Sequence, residues 1–181
     1  MTTNNAAVHR RYLLVGLCLT ALVASPALAA RPVLKYESEI SVKAPPQKAW
    51  NSFKTFGAIH DWHPATENCK LLVGKEGKPL AVREFQLKGG GGFVISELLA
   101  YHEAGKRFKY RIIKTNLPLA SYVAEMWVKP TAGGGSTVHW SASFQRPEEN
   151  AAPEQDDAAT AKLVQAVFKA GLDNLAVITS H

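Results

Sequence analysis

Residues 34–43 alternate in polarity, with Tyr36, Ser38, Ile40 and Val42 on one side, which predicts a half-buried β-strand. Pro45 and Pro46 then suit the first turn of a helix, where a missing N–H costs nothing. Ala49, Trp50, Phe53 and Phe56 recur at helical spacing, so a short helix with one apolar face follows. Gly57 ends it, a second short turn carries Ile59 and Trp62, and Pro64 stops that turn. Beyond it the period switches to two, and strands are predicted over 69–74, 80–88, 93–103, 107–115, 122–129 and 137–145. A last periodic segment, 158–179, sets Leu163, Val164, Val167, Phe168, Leu172 and Leu175 on one face of a long helix, with Asp156 or Asp157 as its N-cap. Seven short strands with glycine-rich turns and one long terminal helix imply an α+β fold built on a curved antiparallel sheet.

The faces can be assigned as well. Phe108, Tyr110 and Ile112 alternate with Arg107, Lys109 and Arg111, and Val138, Trp140, Ala142 and Phe144 alternate with His139, Ser141 and Ser143. Tyr122, Ala124, Met126 and Val128 are expected to face in, with Trp127 outside. The resulting concave wall, closed by the terminal helix, encloses either a solid aromatic core or a cavity. If Gly89, Gly90 and Gly91 form a three-residue hairpin loop, Arg83 faces Glu97 on that wall, as a bridge or as a holder of a polar headgroup. Gly171, inside the long helix, implies close backbone packing or room for a ligand, the former being favoured.

Ala44-Pro45-Pro46-x-x-x-Trp50, the Phe56-Gly57…Trp62-His63-Pro64 segment, Arg83, Glu97-Leu98, Tyr110, and Trp140 with Phe144 form a set. On these residues the region 34–179 resembles the START-related SRPBCC superfamily, which includes birch-pollen allergens and polyketide cyclase/dehydrase and lipid-transport proteins. The resemblance implies a helix-grip fold with an internal cavity whose mouth lies near Trp62 and His63. A ligand site of Trp62, His63, Arg83, Glu97, Tyr110, Tyr122, Met126, Trp140 and Phe168 is then expected for a small apolar or amphipathic molecule. Exported, MxaD-like members suggest an alternative, an accessory protein docking onto a periplasmic redox system. A cyclase or dehydratase using His63, Arg83 or Glu97 as acid or base is the weaker third reading.

Composition narrows these options. Arg10 and Arg11 precede an apolar run over 12–24, and Ala27-Leu28-Ala29 has small residues at cleavage spacing, so residues 1–29 read as a secretory signal peptide. The run is too short to span a bilayer comfortably, which takes about 20 residues, so the expected product is a single periplasmic or secreted domain over 30–181 with no membrane span. The leader takes two arginines with it, leaving 19 basic against 15 acidic residues, a mild +4 that is no nucleic-acid footprint. Arg107, Lys109, Arg111 and Lys114 form an outward stripe, a solvated face or a dock for an acidic partner protein. Cys69 is the only cysteine beyond the leader, which leaves no internal disulfide and suits a half-buried small residue. His60 and His63 have metal-ligand spacing but lack a convergent third ligand, and no nucleophile motif or dinucleotide fingerprint is present, so no metal, cofactor or catalytic residue is assigned. Capping of the turn before Pro64 is the favoured role of His63.

Overall fold

A computed structural model describes residues 31–148 and 152–180, together with Met1. The expected leader lies outside the described residues. The chain runs β1 (Leu34–Val42), α1 (Pro46–Asn51), a 3-10 turn (Phe56–Asp61), β2 (Thr66–Val73), β3 (Val82–Leu87), β4 (Gly92–His102), β5 (Arg107–Thr115), β6 (Ala120–Pro130), β7 (Ser136–Gln145) and α2 (Asp157–Thr179). All strands pair antiparallel in one seven-stranded sheet of order β1-β7-β6-β5-β4-β3-β2. This is the helix-grip arrangement: the open curved sheet holds α2 against its concave face, and α2 meets β1 and β7. Asp156 caps α2 by accepting the Ala159 N–H at 2.8 Å.

The expected faces hold. Phe108, Tyr110, Tyr122, Ala124, Met126, Val138, Trp140 and Phe144 are buried on the concave face, while Arg107, Lys109 and Arg111 are exposed. Trp127 sits on the outer face, stacked on His139 with ring centroids 4.8 Å apart. The N-terminal helix brings Trp50 and Phe53 onto Phe108, with centroids 5.9 and 6.0 Å away, so an aromatic cluster fills that end of the sheet. Ser136 Oγ fastens the same corner by donating to the Ala44 carbonyl at 2.7 Å.

The register of one hairpin differs from the expectation. Lys88 to Gly91 form a four-residue connection, in which Gly91 N–H donates to the Lys88 carbonyl and Gly89 and Gly90 take positive φ of 66° and 72°. Leu87 therefore pairs with Gly92, Phe85 with Val94, and Arg83 with Ser96. One extra loop residue moves the whole of the next strand to the opposite face. Glu97 points outward and binds Arg111 through Nε at 2.9 Å and Nη2 at 2.6 Å, so the Arg83–Glu97 pair does not exist.

Gly171 resolves in favour of close packing. A Cβ built there would lie 2.8 Å from His63 Cδ2, 2.9 Å from Trp140 Cζ3 and 3.1 Å from Trp62 Cζ3. Gly171→Ala gains about 1 kcal/mol of helix propensity, but it drives a methyl group into three packed rings. We expect a net loss of about 1–2 kcal/mol from overpacking, read as a lower urea midpoint. An unchanged or raised midpoint would mean that the helix rides higher on the sheet than described here.

Candidate functional site

The site is built where the 3-10 turn, the inner face of the sheet and α2 meet. From the 3-10 turn and the residues after it come Ile59, His63 and Thr66, and from β3 and β4 come Arg83, Phe85, Leu87 and Val94. The inner residues of β5, β6 and β7 add Tyr110, Ile112, Tyr122 and Trp140, and α2 adds Leu163, Val164, Val167 and Phe168. They surround a cavity of about 60 Å3. At roughly 10–15 Å3 per enclosed water, that is room for a few waters, well below the ~300 Å3 at which drug-sized ligand pockets begin.

The cavity has a tight end and a loose end. At the tight end, His63 Nε2 lies 3.0 Å from the Val167 carbonyl, and His63 Nδ1 accepts the Ala65 N–H at 3.3 Å. Those contacts fix the tautomer with the proton on Nε2. Asn174 adds a second tie between helix and loop, donating to the Trp62 carbonyl at 2.8 Å. Burial pushes the His63 pKa below its ordinary 6.5, an effect its bond to Val167 partly opposes, so the ring is neutral near pH 7. Trp140 stacks on Phe168 at 4.2 Å and donates Nε1–H to the Tyr110 hydroxyl at 3.1 Å. Burial holds the phenols of Tyr110 and Tyr122 above their usual range, and both stay protonated.

At the loose end, β5 and β6 separate. Their pairing stops at Arg111 with Val123, after which residues 112–115 pair only with β4. Leu117-Pro118-Leu119 bridges the gap, and Ser121 takes a positive φ of 51°. A surface cleft of about 330 Å3 opens between 112–115 and 119–122, sharing Ile112, Leu119 and Tyr122 with the inner cavity. The helix touches this loop through a long 3.4 Å bond from Thr160 Oγ1 to the Pro118 carbonyl.

Against the expected site, His63, Arg83, Tyr110, Tyr122, Trp140 and Phe168 come together on the cavity wall. Trp62 does not; it is 2% exposed, packs edge-on against Trp140 at 5.6 Å, and closes the end where the mouth was expected. Met126 lies in the core away from the cavity, and Glu97 is on the other face of the sheet. His60 is turned to Asp61, 3.4 Å away, while His63 is turned inward, so the two do not converge on one point. Among the described residues no group of three His, Cys, Asp or Glu side chains gathers as a metal site. Cys69 is half-buried, and burial raises its thiol pKa, which keeps it a poor nucleophile. The lining missed from the sequence is the aliphatic mouth: Leu87, Ile112, Leu117, Leu119, Leu163 and Val167. An apolar Leu117-Pro118-Leu119 in the connection between the predicted strands 107–115 and 122–129 was the available signal.

Chemically the wall offers one permanent cation, a neutral imidazole engaged at both nitrogens, and protonated phenols. Among the described residues no carboxylate lines it. This set can orient a polar group, but it presents no ionised base.

Residues 33–177 match the polyketide cyclase/dehydrase and lipid transport family. The chain belongs to that family. Among solved structures it is similar to the protein XoxI from Bacillus cereus, at 22% identity and TM-score 0.68 over 80% of this chain and 94% of that one. An uncharacterised Bacillus thuringiensis protein matches at 20% identity and TM-score 0.70, over 82% of this chain and all of the other. A Thermobifida fusca protein matches at 26% identity and TM-score 0.68, over 80% and 92%. No curated protein matches the chain. The cyclase/dehydrase and lipid-transport family thus gives a scaffold for hydrophobic ligands, within which this chain places its own set of polar groups.

The buried neutral His63 has a pH signature. Its folded-state pKa lies below the 6.5 of an unfolded chain, so between those values the unfolded state binds the extra proton and stability falls as pH drops. Its contribution is fully present above pH 6.5. His63→Gln is expected to cost about 1–3 kcal/mol near pH 7.5, and the gap from wild type should narrow by about pH 5. Urea midpoints at the two pH values measure this, and a pH-independent gap contradicts it.

Proposed function

We propose that this is an exported, non-enzymatic binding protein that holds a small apolar or amphipathic ligand between the sheet and α2. The observation that carries the reading is the apolar cavity between the sheet and α2, which shares the wall residues Ile112, Leu119 and Tyr122 with the cleft between β5 and β6. A molecule of more than a few heavy atoms does not fit the cavity as it stands. It enters by displacing the Leu117–Leu119 bridge, beside which β5 and β6 no longer pair. The opposite end stays shut, because Gly171 seats the helix on Trp62, His63 and Trp140.

Docking to a periplasmic redox system gains less support from the surface. Arg107 is paired with Glu125 and Arg111 with Glu97, so much of the basic stripe is neutralised within the sheet face.

The neutral dye N-phenyl-1-naphthylamine tests the cavity reading. Wild-type protein is expected to bind it with enhanced fluorescence. Val164→Phe, which fills the cavity from the helix side, should abolish binding while costing no more than about 1–3 kcal/mol of stability. Absence of dye binding, or equal binding by the filled variant, overturns the reading.

A further inference from the structure

The cavity wall holds a charge that the fold does not neutralise. Arg83 is 2% exposed, and among the described residues no carboxylate lies within ion-pair distance of it. A guanidinium carries five N–H donors, and here two acceptors meet it. Nε donates to Ser96 Oγ at 3.0 Å, and Nη1 donates to the Phe56 carbonyl at 2.6 Å. The rest of its surroundings are aromatic, with the guanidinium carbon 4.1 Å from the Phe56 ring centroid and 5.3 Å from those of Phe85 and Tyr110. These rings soften the burial of the cation without supplying a counter-charge.

Purely structural duties do not call for a charge here. A neutral amide could donate to the Phe56 carbonyl and to Ser96, and burying an uncompensated ion costs several kcal/mol. An arginine kept here is best used by a partner that is itself absent from the chain. The other polar groups on the wall are neutral, so the site offers a single positive charge in a planar, bidentate fork. That matches one carboxylate better than a dianionic phosphate. The aliphatic residues lie on the far side, leading to the gap between β5 and β6.

We propose that Arg83 is the anchor for the carboxylate of a monoanionic amphipathic ligand, whose apolar tail runs past Ile112, Leu119 and Val167 toward the mouth. The proposal rests on the cavity reading above and specifies its ligand class. The protonated Tyr110 hydroxyl, which receives a hydrogen bond from Trp140 and is also bonded to Tyr122, is a neutral polar neighbour on the same wall.

Calorimetric titration of the full chain with decanoate and with decan-1-ol at about pH 8 tests it, since the two share a tail and differ in the head. A charge-assisted pair is worth roughly 1.5–3 kcal/mol, so decanoate should bind at least about tenfold tighter than the alcohol. Arg83→Met, which keeps the length and loses the charge, should lose that preference while still binding the alcohol. Should that variant fail to fold, the comparison of acid with alcohol on the wild-type chain decides. Equal affinity for the two compounds overturns the anchor, as does an acid preference that survives in Arg83→Met. Binding of the neutral dye without any preference for decanoate removes the anchor and leaves the cavity reading standing. Failure of dye, acid and alcohol alike removes the cavity reading, and the anchor falls with it.

Discussion

The seating of α2 on the rings of Trp62, His63 and Trp140 is the constraint from which the remaining geometry follows. Only a residue without a side chain permits that approach, and the two flanking hydrogen bonds, His63 to Val167 and Asn174 to the Trp62 carbonyl, lock it in register. Beside that seat a small void stays open under Leu163, Val164 and Val167, and that void is the cavity. Close packing and space thus adjoin along one helix.

The same asymmetry distributes polarity. At the pinned end the imidazole is held by helix and loop, and the indole of Trp140 donates to Tyr110. At the open end the wall is aliphatic, and the backbone supports it lightly, because β5 and β6 no longer pair beyond Arg111 and Val123. A molecule with one polar end has a single sensible orientation in such a space, head toward the sheet centre and tail toward the gap. Closing over a ligand would cost the wall little, since aliphatic side chains shifting along the mouth break no ladder bonds there.

Much of this architecture is legible from period alone. Alternation at Phe108, Tyr110 and Ile112, and at Val138, Trp140 and Phe144, fixes the inner face without reference to any partner strand, because a side chain's direction in a strand depends only on parity. The glycine in the helix is equally local: its cost in propensity has to be offset by packing, and it is. Pairing between strands is less local. Whether the glycine run closes in three residues or four depends on backbone geometry that glycines leave open, and that one residue decides which face Glu97 takes. The mouth was misplaced for a similar reason. Trp62 follows a turn and reads as a surface lid, but its burial depends on Gly171, which lies more than a hundred residues later.

The one-residue difference in that hairpin is also what gives the site its character. In the register with a three-residue loop, Arg83 and Glu97 would face each other and cancel, leaving an apolar wall with a neutral bridge. In the register observed, Glu97 leaves to pair with Arg111 on the outer surface, Ser96 takes its place beside Arg83, and a hydroxyl cannot balance a guanidinium. The outer face gains a half-buried salt bridge, in which desolvation of Glu97 offsets much of the attraction. The inner face is left with a cation that burial disfavours. An arrangement that stabilises the surface so weakly and burdens the interior so plainly is poor economy for the empty protein alone. It becomes favourable once an anionic group occupies the cavity, where the attraction acts in a low-dielectric enclosure rather than in water.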